Sequence, residues 1–134
     1  MTMGGHDTTL KRIREALEQE HDVILATVFG SVASGQAHSG SDLDVAVLAD
    51  RPLAADRRYK LIERLADVIG RPVDLVDLRT AGVIVTREAL HGQRLFCRDE
   101  KAYAGLLSRM VTDAEDFLPY QRRLLRARRN AWIR

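Results

Sequence analysis

At 134 residues, 46% hydrophobic and 30% charged, the chain is sized and composed for one globular core, which excludes a disordered or low-complexity polymer. No apolar run approaches the ~20 residues of a membrane span, no basic stretch followed by an apolar core opens the chain, and a single cysteine excludes an internal disulfide framework. The expectation is a cytoplasmic protein. The formal charge of +2 hides an asymmetry, because Arg122, Arg123, Arg126, Arg128, Arg129 and Arg134 all fall in the last stretch; without them 15 basic side chains face 19 acidic ones. An acidic body with a basic tail argues against a nucleic-acid-binding face spread over the fold.

In chain order, Asp7, Thr8 and Thr9 offer caps for a helix to about Glu20, with Leu10, Ile13 and Leu17 as its apolar stripe. The apolar runs Val23 to Phe29 and Leu43 to Leu48, bounded by Gly and Ser, predict neighbouring strands. Between them the chain turns at Gly30-Ser31, crosses small polar residues, and reaches Ser41, Asp42 and Asp44. Residues two apart in a strand share a face, so Asp42 and Asp44 project together while Leu43 turns into the core. Two carboxylates side by side repel, and a divalent cation is the usual remedy. The Gly30-Ser31 turn lies across from them, where backbone N–H groups and a hydroxyl can hold phosphate oxygens; Ser41 is grouped with it as nucleotide-binding. A Ser-Asp pair at the start of a strand is also ordinary turn chemistry. The combination of a turn after one strand and carboxylates on the next outweighs that reading.

Asp50 can cap and Pro52 can start a second helix, buried through Leu61, Ile62, Leu65 and Ile69 and closed by Gly70, with Arg57, Arg58, Lys60 and Arg64 read as a solvated surface. Pro72 to Asp77 predicts a third strand. Asp74 interrupts it, and a charge there costs free energy unless it is paired or bound to metal. Asp77 has the opposite parity and reads as a strand-end turn residue. Thr80 to His91 predicts a helix ended by Gly92, although Val83, Ile84 and Val85 also favour a strand. Arg94 to Cys97 is a short fourth strand, with Cys97 a small buried hydrophobe. His38 and His91 lack metal-ligand spacing, while His38 falls in the motif stretch where a nucleotide contact is open to it. From Asp99 a helix is expected to about Leu118, broken by Pro119. The tail, with Leu124, Leu125 and Trp132 among its arginines, has three readings: packing back on the domain, docking on a partner, or electrostatic binding of nucleic acid, the first two together favoured because Trp and Arg are preferred interface anchors. The elements together predict an α/β (α+β) fold, a small mixed sheet with helices on one face and extra C-terminal helices.

Gly30, Ser31, Asp42 and Asp44 match the G-S-x10-D-x-D signature of the nucleotidyltransferase superfamily with the polymerase-beta-type fold. Over about residues 10–98 the chain resembles a minimal nucleotidyltransferase (MNT), a family whose members are typically antitoxins paired with a HEPN-domain ribonuclease toxin. One departure is Ser34, at a position often basic in relatives, which bears on a phosphate contact but not on the metal site. The resemblance implies that Asp74 is the third carboxylate and that Asp42, Asp44 and Asp74 hold two Mg²⁺ ions. It also implies that AMP moves from ATP to a hydroxyl, typically of a tyrosine, on the HEPN toxin, with pyrophosphate released and the toxin held in a hetero-oligomer. The domain expectation is a nucleotidyltransferase unit over 1–98 and a helical extension with the Arg-rich tail over 99–134. Arg14 and His21 superficially fit the Arg-x4–6-His signature of HEPN ribonucleases; without their helical bundle the fit is a coincidence. The alternatives are a non-catalytic antitoxin acting by occlusion, an aminoglycoside-type small-molecule nucleotidyltransferase, and nucleotide addition to RNA 3′ ends. Three converging acids favour an enzyme, and the lack of a large second domain favours a protein acceptor.

Overall fold

The computed structural model describes residues 5–30 and 43–112. In order they form α1 (Gly5–Glu18), β1 (Val23–Phe29), β2 (Leu43–Ala49), α2 (Ala55–Ile69), β3 (Val73–Asp77), α3 (Val83–His91), β4 (Gln93–Cys97) and a further helical stretch, α4, over 100–112. The strands make one mixed sheet in the order β3-β2-β1-β4, with β1 antiparallel to β2 and β4 and β2 parallel to β3. The central strands β1 and β2 are buried along nearly their whole length, as strands covered on both sides must be.

That two-sided burial separates two cores. Against one face of the sheet, Leu10, Ile13 and Leu17 of α1 and Leu61 and Leu65 of α2 meet Val28, Val45, Val47 and Leu75. On the other, Ala89 of α3 and Leu106 of α4 meet Leu25, Phe29, Ala46 and Leu48. The helices therefore cover both faces rather than the single face expected from the element order. Fully burying a side chain such as Leu61 or Leu65 contributes about 1.5–3 kcal/mol.

Element boundaries shift where long-range hydrogen bonds overrule local capping. α2 does not start at Pro52: it follows Ala54, which is extended and provides no side-chain cap, because the Leu53 N–H is held by Asp77 Oδ2 at 2.9 Å. α3 starts after the extended Gly82 rather than at Thr80, whose hydroxyl donates back to the Asp77 carbonyl at 3.4 Å. Val83 to Val85 join the helix despite their branching, since Thr86 and Ala89, three apart, bury against the sheet while Ile84 and Val85 stay exposed. α2 closes at Gly70 in the left-handed conformation, its N–H bonded to the Ala66 carbonyl.

Arginines fasten the layers. Arg57 is not a solvated helix residue: its guanidinium donates to Asp22 Oδ2 at 2.9 Å and Glu20 Oε2 at 3.0 Å, tying α2 to the turn after α1 and holding the Asp22 carboxyl below its ordinary range. Arg58 donates to the Leu75 carbonyl. Arg98, just after β4, donates to the carbonyls of Glu18, Glu20 and Val23, satisfying the end of α1 from the neighbouring edge strand. Arg109 of α4 donates to the carbonyls of Leu78 and Arg79. Arg14 pairs with Glu18 one turn on, at 3.5 Å, both half-exposed. Cys97 is free and half-buried at the edge of the second core.

Candidate active site

The site begins where β1 ends. Gly30 adopts φ +75°, a left-handed conformation that strains any residue with a Cβ. It also lies against the carboxylate across the hairpin: a Cβ built there would sit 3.3 Å from Asp44 Cγ and closer still to Oδ2. The backbone sign and the close approach both require glycine at this point of the motif.

Asp44 stands on β2 opposite Phe29 of β1 and opposite Asp74 of β3, the last two strands running parallel in register. Registered partners on adjacent strands lie about 4.8 Å apart and present their side chains to one face. That face is the one carrying Phe29 and the α3–α4 core, while Leu43, Val45 and Leu75 turn to the other. Asp44 is half-buried and Asp74 exposed, so the pair is open to ligands from one side.

Of the residues singled out in the sequence, Gly30, Asp44 and Asp74 are thus brought together. Ser31, Ser41 and Asp42 lie outside the described residues, as do His38 and the Arg/Trp tail. Asp77 is separate from the site and buried: its two carboxylate oxygens accept from the backbone N–H groups of Leu53 and Arg79, both at 2.9 Å. It is the strand-end turn residue its parity suggested.

The donors that meet here are carboxylate oxygens, the chemistry of a hard divalent cation such as Mg²⁺ rather than of zinc. Among the described residues there is no group of three or more His, Cys, Asp or Glu side chains arranged around one ion. The pair Asp44 and Asp74 fits a cation that takes part of its shell from elsewhere. Sequence reasoning missed the neighbourhood on the other side of Gly30, where α3 brings Arg87, Glu88 and His91 to a cavity of about 730 Å³. Arg87 and Glu88 carry no motif, His91 lacks metal-ligand spacing, and only the pairing of β4 with β1 places them here.

The sequence pattern of the family described as polymerase beta, nucleotidyltransferase matches residues 11–101. The chain belongs to that family. Within the family it is 38% identical over 73 residues to the protein adenylyltransferase MntA of Shewanella oneidensis, a match spanning 54% of this chain and about half, 52%, of the relative. Solved structures agree over greater length. A chain from a toxin–antitoxin crystallised with AMP-PNP superposes with a TM-score of 0.68 at 28% identity, covering 92% of this chain and 94% of its own. Another, from a tri-AMPylated Shewanella oneidensis HEPN toxin in complex with its MNT antitoxin, gives 0.63 at 26% identity, covering 96% and 95%. The mixed four-stranded sheet flanked by helices is the nucleotidyltransferase fold that these relatives share. Among the described residues no helix is long and apolar enough to cross a membrane.

Proposed function

We propose that this protein is the antitoxin of a HEPN/MNT pair, and that it moves AMP from ATP to a hydroxyl, of a tyrosine, on its HEPN-toxin partner in the cytoplasm. The observation that carries the reading is the registered pair Asp44 and Asp74 beside the left-handed Gly30, in a fold alike over nearly its whole length to an antitoxin seen with an AMPylated HEPN toxin. In this reading residues 1–98 are the nucleotidyltransferase unit, and 99–134 carry α4 and a tail that docks on the toxin.

Each residue has a part. Gly30, Ser31 and Ser41 hold the triphosphate through backbone N–H groups and hydroxyls. Asp42, Asp44 and Asp74 are the oxygen donors for two Mg²⁺ ions, which when bound supply the positive charge that the reacting phosphate needs. Asp74, exposed at the edge strand, takes the proton of the attacking hydroxyl. The new bond joins the acceptor oxygen to the α-phosphorus, and the bond from that phosphorus to the bridging oxygen breaks, so pyrophosphate leaves in line.

Asp44→Asn and Asp74→Asn keep the shape of the site and remove its charge. Both variants should retain a native circular dichroism spectrum and lose AMP transfer to the co-purified HEPN partner by at least 100-fold, the scale expected when an electrostatic component of transfer is deleted. Full transfer in either folded variant overturns the assignment.

A further inference from the structure

The cavity beside Gly30 has a chemical character distinct from that of the carboxylate pair. It is lined, among the described residues, by Gly30, by Arg87, Glu88 and His91 of α3, and by Gly92 and Gln93 leading into β4. Its volume of about 730 Å³ lies within the ~300–1,000 Å³ typical of ligand sites. Arg87 and His91 are one helical turn apart and therefore share a face of α3. Both are exposed, and neither is engaged in an ion pair among the described residues. Gly92 presses the end of α3 directly onto β1: a Cβ there would lie 2.7 Å from Phe29 Cβ. The end of α3 that carries the two side chains is therefore held close to the turn at Gly30.

The order of the sheet gives the cavity a direction. Across it run Asp74 on β3, Asp44 on β2, Gly30 at the end of β1, and then the cavity over β1 and β4. An in-line displacement puts the attacking oxygen and the leaving oxygen on opposite sides of the phosphorus. With the proton-accepting Asp74 on the β3 side, the leaving end of the triphosphate points past Gly30 toward α3. We infer that Arg87 and His91 form the seat of the β- and γ-phosphates and of the departing pyrophosphate. This rests on the reading of the carboxylate pair as a nucleotidyl-transfer site. Arg87 presents a planar fork suited to two phosphate oxygens, and His91 adds a second N–H donor. Glu88 on the same cavity opposes them and tempers the affinity for product.

The test is equilibrium binding of α,β-methylene-ATP and, separately, of AMP, each with Mg²⁺, to the full chain and to Arg87→Gln, His91→Asn and Glu88→Gln. Loss of a charge-assisted phosphate contact predicts that Arg87→Gln binds α,β-methylene-ATP about tenfold more weakly, and His91→Asn a few-fold more weakly, with AMP affinity unchanged in both. Glu88→Gln binds the analogue more tightly. Unchanged analogue affinity in Arg87→Gln overturns the inference, and so does an equal loss for AMP; a defect confined to the protein acceptor would give the cavity to that partner instead. Wild-type protein that binds neither nucleotide removes the reading of the site itself, and the inference with it.

Discussion

Gly30 and Gly70 share nearly the same left-handed backbone, φ +75° and +71°, and differ in what surrounds them. A Cβ at Gly70 meets nothing within 4 Å, whereas at Gly30 it would run into the Asp44 carboxylate. Gly70→Ala therefore isolates the backbone cost, about 1–2 kcal/mol for an L residue in this region, reduced by up to about 1 kcal/mol because alanine restricts the unfolded chain. Gly30→Ala carries the same cost plus an Asp44 side chain driven off its rotamer, a further ~0.5–1.5 kcal/mol. Urea denaturation of the two variants should place Gly30→Ala lower by about that difference. Because the displaced group is a proposed metal ligand, AMP transfer should fall at least tenfold in Gly30→Ala and stay at the wild-type level in Gly70→Ala. Equal stability losses with both variants active would refute the close approach of Gly30 to Asp44 as the reason for glycine in the motif.

Mg²⁺ at ten times its dissociation constant should raise wild-type stability by about 1.4 kcal/mol in thermal melts, and Asp44→Asn should abolish that increment; an undiminished Mg²⁺ response in the variant contradicts the metal assignment. Asp77→Ala removes two acceptors from part-buried backbone N–H groups and should cost about 2–4 kcal/mol in denaturant unfolding, while activity per folded molecule is kept; a loss of activity without a loss of stability would make Asp77 part of the site. Arg57 holds the Asp22 carboxyl below its ordinary 3.8, so this pair contributes stability that is present above that value and lost as the pH falls through the depressed folded value. Asp22→Asn should flatten that acid limb of the stability curve relative to wild type, as followed by urea midpoints from pH 6 downwards.

The parts of this molecule written in local patterns were legible without coordinates. β1 is bounded by Val23 and Phe29 as its apolar run suggested. Asp74 stood out as a charge inside a strand, but the burial cost expected of it is not incurred, because β3 is an edge strand and Asp74 is exposed on it. What escaped depends on partners distant in sequence. Arg57 reads as a solvated charge until Asp22, 35 positions earlier, is folded against it. Arg98 spends its guanidinium on carbonyls as many as 80 positions away. Helices on both faces were encoded in the continuous, non-alternating apolar runs of β1 and β2, a signal of two-sided coverage that element order alone conceals. Arg87 went unremarked and His91 was weighed only as a metal ligand for the same reason: exposed polar side chains on a short helix carry no address until β4 pairs with β1 and Gly92 closes the gap.

The activity proposed for this protein is the transfer of a nucleoside monophosphate to a protein hydroxyl. It is tested most directly by incubating the purified protein with Mg²⁺, the HEPN partner proposed for it and ATP labelled on either the α- or the γ-phosphate, with the Asp44→Asn variant alongside. Label is expected on the partner with the α-label alone, and none with the variant. A partner that stays unlabelled within a tight complex would contradict it and leave an antitoxin that acts by occlusion.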